Sequence, residues 1–232
     1  MDITKFKGVG SQMVIYKELQ SSKIRYNYTE PETPTPGVVK HFYWTVDSIM
    51  PVNENLSTDR IYSFTLSANT KKGNSLFGTA DKNDNNDFRI FWYDLDHWLF
   101  FDSGSERLWY NNFGCLYTDI LTYDLTYNSL KVFKNNEQKK LYSLSGNVKT
   151  SGDLYFVSVK GTNKESLNLY EFKVYDTNNN LLKHYIPLED GKTLYDIVSK
   201  TTFDVGKTFT ATETDVTVNE KGEEIPGYEY KN

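Results

Sequence analysis

A single cysteine, Cys115, in 232 residues excludes an internal disulfide, so the fold has to be held by its core alone. Helical periodicity is missing too: no segment longer than about ten residues repeats its apolar groups every 3.6 positions. Nor is there an apolar run long enough to cross a bilayer. The first residues, "MDITKFKGVGSQMVIYKELQ", lack the basic start, apolar middle and small-residue cleavage site of a signal peptide. The expectation is a chain made in a cytoplasm and not inserted in a membrane, in which the Asn-x-Thr/Ser triplets at Asn27 and Asn55 are chance matches. Cations are outnumbered, with 26 Lys and Arg against 31 Asp and Glu, a net charge of −5 and a pI near 5.3. That balance argues against a nucleic-acid or anionic-membrane partner, both of which call for clustered basic residues. The three histidines, His41, His97 and His184, are scattered without zinc-ligand spacing. One cysteine gives no thiolate cluster, and no Gly-x-Ser-x-Gly marks a serine nucleophile.

What the chain does have is aromatic, with 18 Tyr and 14 Phe in a sequence of mean hydropathy −0.61. That combination suits sheets with one buried and one solvated face. From "VVKHFYWTV" (38–46) to "LLKHYIPL" (181–188), short aromatic and β-branched segments alternate with Asn- and Asp-rich turns about every ten positions, the pattern of a β-sandwich. "LYEFKVY" (169–175) and "LLKHYIPL" read as neighbouring strands. "TLYDIVSKT" (193–201) reads as at most one helical turn, in a closing flap whose Tyr195, Ile197 and Val198 cover the sheet end. Four segments follow. Residues 1–28 form an N-terminal arm, and 29–37, "TEPETPTPG", hold three of the six prolines and form an extended linker. Residues 38–212 are the body. Residues 213–232 are an acidic tail or hairpin.

The closing stretch carries a resemblance. Val174, Tyr175, Asp176, Tyr185, Ile186, Pro187, Leu194, Tyr195, Asp196, Val198, Ser199 and Phe203 resemble the end of a concanavalin A-like, laminin-G-like jelly roll found in virion proteins of tailed phages. An earlier motif of that family also appears, as Leu76-Phe77-Gly78-Thr79 followed by Phe88-Arg89-Ile90. One departure is Thr193, where the family has Gly. The resemblance implies an all-β, two-sheet antiparallel jelly-roll sandwich with an extended N-terminal arm. It further implies a virion component, a capsid decoration protein or head fibre as in crAss-like phages, with other virion proteins as partners. The alternative is a carbohydrate-binding module for host-surface glycans. A homo-oligomer is compatible with either.

Glycosidases of this fold carry paired acids spaced Glu-x-Asp-x-x-Glu; "DLDHW" (94–98) does not supply them, so no enzyme and no cofactor is expected. In "DKNDNND" (81–87), Asp81, Asn83 and Asn85 are spaced like the first ligands of an EF-hand loop, and Asp87 adds a carboxylate. The sixth position is Asn86 rather than Gly and the twelfth Trp92 rather than Glu, so the expectation is an ordinary loop without metal. Trp92, Trp98 and Trp109 are candidates for stacking on sugar rings; the competing reading places such aromatics in the core.

The arm contains Met13, Val14, Ile15, Tyr16, Leu19, Ile24, Tyr26 and Tyr28, apolar groups that need burial against a partner. Deleting residues 1–28 is expected to leave a folded, soluble body that no longer cosediments with virions. Full retention of the truncated chain would place attachment in the body instead.

Overall fold

Among the described side chains, the apolar faces of most strands turn toward one shared interior. The computed structural model describes residues 39–69, 74–79, 88–92, 99–103, 106–110, 113–144, 152–157 and 166–216, all within the unit Pro34–Asn232. Among the described residues there are sixteen strands and no helix. The large sheet runs β10 (Glu137–Ser143), β9 (Ser129–Lys134), β8 (Leu121–Leu125), β3 (Arg60–Ala68), β12 (Leu167–Asp176), β13 (Leu181–Pro187), β14 (Thr193–Asp196), β15 (Thr201–Asp204). β1 (Val39–Val46) also pairs with β12, and β16 (Thr210–Val216) pairs with β1. The small sheet runs β2 (Met50–Asn55), β11 (Asp153–Phe156), β4 (Asn74–Thr79), β5 (Phe88–Trp92), β6 (Leu99–Ser103), β7 (Glu106–Tyr110). All pairings are antiparallel. The two-sheet jelly-roll sandwich expected from the sequence is the architecture observed.

Aromatic rings fill the space between the sheets. Phe64 on β3 lies 4.5 Å from Phe77 and 5.7 Å from Phe156 across the interface, and 5.2 Å from Tyr123 beside it. Phe172 meets Phe156 edge-on at 5.6 Å. All five are fully buried, and each such side chain contributes about 1.5–3 kcal/mol through removal from water. On β12 the alternation changes phase. Leu169 stands opposite Leu66 and Glu171 opposite Thr65, so Tyr170 is an inserted residue. The bulge lets Leu167 and Leu169 before it, and Phe172 and Val174 after it, all face the core. It leaves Asn168, Glu171, Lys173 and Tyr175 on the outer face.

The closing stretch corrects one expectation. "TLYD" is strand β14, not a helical turn, and residues 197–200 form the turn into β15. Strand alternation then puts Leu194 and Asp196 inward, both fully buried. Tyr195 is half-buried, while Ile197 and Val198 are 42% and 43% exposed, so these three do not cover the sheet end. Three aspartates clamp the successive turns. Asp176 accepts from the Asn178 and Asn180 amides at 2.8 and 2.9 Å, and Asp190 from the Lys192 and Thr193 amides at 3.0 and 2.9 Å. Asp196 accepts from the His184 and Val198 amides at 2.9 and 3.1 Å. Thr193 thus closes its turn through Asp190, and the required positive φ falls on Gly191 (69°) instead. A side chain there would collide with the Phe209 carbonyl. β16 extends to Val216, so four residues assigned to the tail lie in the sheet.

Four strands escaped the sequence reading: β2, β14, β15 and β16. β2 contains Pro51, tolerated because β2, among the described strands, lies at the sheet edge and pairs only with β11. Leu194→Ala is expected to cost about 2–5 kcal/mol in urea unfolding, and Tyr195→Ala less than half as much. The reverse order would show that β14 is turned over.

Candidate functional site

The outer face of the large sheet collects polar side chains around the bulged strand. β3 contributes Ser63, Thr65 and Ser67, 5–8% exposed, small residues that leave room for longer neighbours. At the centre, Glu171 receives Lys173 Nζ at 2.7 Å and faces His184 Nε2 at 2.9 Å. Thr65 donates to the same carboxylate at 3.4 Å and shares a 2.9 Å hydrogen bond with Thr122. Burial pushes the Glu171 carboxyl up, but the hydrogen bond with His184 and the charge of Lys173 outweigh it and hold the group well below the usual carboxylate range. His41 lies near enough to feel all three: burial lowers its pKa, Glu171 opposes that, and His184 and Lys173 add to it. At the β1 end, Asn168 bonds Thr45 at 3.1 Å and Ser67 at 3.2 Å, and Tyr170 packs on Tyr43 with ring centroids 4.8 Å apart.

Beside this network, toward the β12–β13 turn, lies an open cleft of about 170 Å³ lined by Ser63, Asp124, Thr126, Lys131, Tyr175 and Asn179, with Ile61. Burial raises the pKa of Asp124, against a hydrogen bond from Ser63 and the charges of Lys131 and Lys173. Lys131 stands directly opposite Asp124 in the β8–β9 pairing. Asn179 adopts φ 64° at the turn that Asp176 clamps, so the cleft wall is fixed by the same hydrogen bonds that close the fold. The cleft can grip a ligand with hydroxyl donors and acceptors, a carboxylate and an aromatic ring. As a hydrolytic pair its carboxylates are badly placed. The backbones of Asp124 and Glu171 are two strand spacings and two residues apart, on the order of 12 Å, and the Glu171 carboxylate is already held by Lys173 and His184.

Of the tryptophans named from sequence, Trp92 is in the core, 1% exposed. Its Nε1 donates to Tyr123 Oη at 3.1 Å and its ring stacks on Phe113 at 5.6 Å, so it offers no face to a sugar. Trp109 stands opposite Phe100 in the β6–β7 backbone pairing; Trp98 lies outside the described residues. So do Asp81, Asn83, Asn85 and Asp87, and the arm residues Met13, Val14, Ile15, Tyr16, Leu19, Ile24, Tyr26 and Tyr28. Among the described residues no group of three His, Cys, Asp or Glu is placed to hold a metal ion. The residues the sequence reading passed over left a signal: Glu171, Lys173 and Tyr175 recur at every second position on one strand, and His184 lies on the strand read as its neighbour.

No family model matches the chain, and no curated protein matches it. Among solved structures it is similar to domains LG4-5 of the mouse laminin alpha1 chain, with TM-score 0.42 and 13% identity over 64% of this chain and 45% of that one. It is similar also to sheep galectin-11 in complex with glycerol, with TM-score 0.35 and 12% identity over 55% and 96%. A third is a candidate carbohydrate binding protein of Bacteroides ovatus, with TM-score 0.46 and 12% identity over 79% and 60%. The chain spans less than half of the laminin chain it matches. At these scores the likeness adds nothing to the architecture read from the chain itself.

A carboxylate held below its unfolded value stabilises the fold fully above that value, near 4.3 for Glu. The contribution is lost as pH falls through the folded value. Glu171→Gln is therefore expected to lower stability at neutral pH by about 1–3 kcal/mol and to flatten part of the decline between about pH 5 and 2. Identical acid limbs in the melting temperatures of both proteins would remove Glu171 from this role.

Proposed function

We propose that the chain is a carbohydrate-binding module whose ligand sits in the cleft on the outer face of the large sheet. The observation that carries this is the cleft's composition: Tyr175, Asp124, Asn179 and Lys131 line one open space together with Ser63 and Thr126. Aromatic rings cover the apolar face of a sugar ring, and fixed carboxylates and amides select its hydroxyls. Strands rather than loops hold most of these groups, which limits the ordering cost of binding. The module binds without turnover, a reading supported by the wide spacing of Asp124 and Glu171. A compatible second role, display on a virion through residues 1–28, is supported by the sequence resemblance and by the apolar content of that arm behind its proline linker.

A glycan array probed with the full chain tests the first role. Binding to at least one class of oligosaccharide is expected, weakened roughly five- to tenfold in Tyr175→Ala with the melting temperature preserved. Binding that survives this substitution unchanged would move the site elsewhere.

A further inference from the structure

Resting on that carbohydrate reading, we infer that the cleft selects an uncharged, hydroxyl-rich sugar over sulfated, carboxylated or amine-bearing ones. The reason is charge balance. A sulfated or carboxylated sugar needs a cation with no anion of its own. Lys131, the ammonium lining the cleft, is the cross-strand neighbour of Asp124. Lys173, the next ammonium along the face, is bound to Glu171 at 2.7 Å, and the same carboxylate takes His184 on its other oxygen. Two carboxylates therefore face two ammonium groups. An added anion at Lys131 would meet the field of Asp124 across the strand pair, and one at Lys173 would have to displace Glu171; an added amine would meet Lys131 and Lys173 in the same way.

A neutral sugar disturbs neither pair. Its hydroxyls can donate to Asp124, and hydrogen bonds to an ionised acceptor are about twice as strong as neutral ones. Asp124 is also the group that most needs such donors. It is half-buried, and a ligand covering it without donating would leave a desolvated carboxylate short of partners. Asn179 supplies both a donor and an acceptor, matching the dual character of each hydroxyl.

The test titrates the full chain with neutral sugars (lactose, maltotriose, cellotriose), anionic ones (sialyllactose, sulfated lactose) and a cationic one (glucosamine trisaccharide). A neutral sugar is expected to bind at least about tenfold more tightly than either charged class. Lys131→Met, which removes the cation facing Asp124, is expected to shift preference toward the glucosamine trisaccharide. Asp124→Asn is expected to weaken neutral binding about tenfold and to raise that of sulfated lactose. If Asp124→Asn fails to fold, the Lys131→Met shift decides alone. A parent chain that prefers a charged sugar overturns this inference and leaves the carbohydrate reading standing. So does an unchanged ranking in the variants. Absence of binding to all three classes overturns both.

Discussion

Strand β12 is hydrogen-bonded along its whole length to β3 on one side, and on the other first to β1 and then to β13. Every part of the large sheet is anchored to it directly or through one of those neighbours. The single inserted residue at Tyr170 decides what each face of the strand presents. Without it, Phe172 and Val174 would turn to solvent once Leu167 and Leu169 had turned inward, because side chains alternate with a period of two. With it, the core keeps four apolar residues, and the outer face gains Glu171 in register with Thr65 and Thr122.

The polar network on that face follows from the same constraint. Glu171 is nearly enclosed, and a carboxylate in such surroundings must be matched by charge and hydrogen bonds. Lys173 from its own strand, His184 from β13 and Thr65 from β3 supply them. The matching consumes the cations of the central face. What remains open is the cleft at the turn end, where Asp124 and Lys131 oppose each other and Tyr175 adds a ring. Packing around one bulge thus sets both the location of the cleft and its near-neutral charge.

Most of the fold was legible in the sequence because buried strands announce themselves by alternation: "LNLYEFKVYD" is read off with its boundaries, and "LTYDLTYN" finds β8 while overrunning its end at Leu125. β16 was not, since "TATETDV" has few apolar residues and its burial comes from pairing with β1. β14 was missed because a four-residue strand shows too little alternation to tell from a turn. The bulge escaped because Tyr170 is itself aromatic, and continuing the alternation through 170, 172 and 174 looked clean. That hid the outer-face cluster, whose distant partners Thr65 and Thr122 meet Glu171 only through register. Tryptophan content pointed instead to Trp92, which is spent on the core.

The most direct test of the account is amide chemical-shift mapping of the isotopically labelled full chain with a neutral trisaccharide. Perturbations centred on Ser63, Asp124, Tyr175 and Asn179, fading across β12 toward Asn168, are what the account predicts. Perturbations confined to the small sheet, or none at saturating sugar, would contradict it.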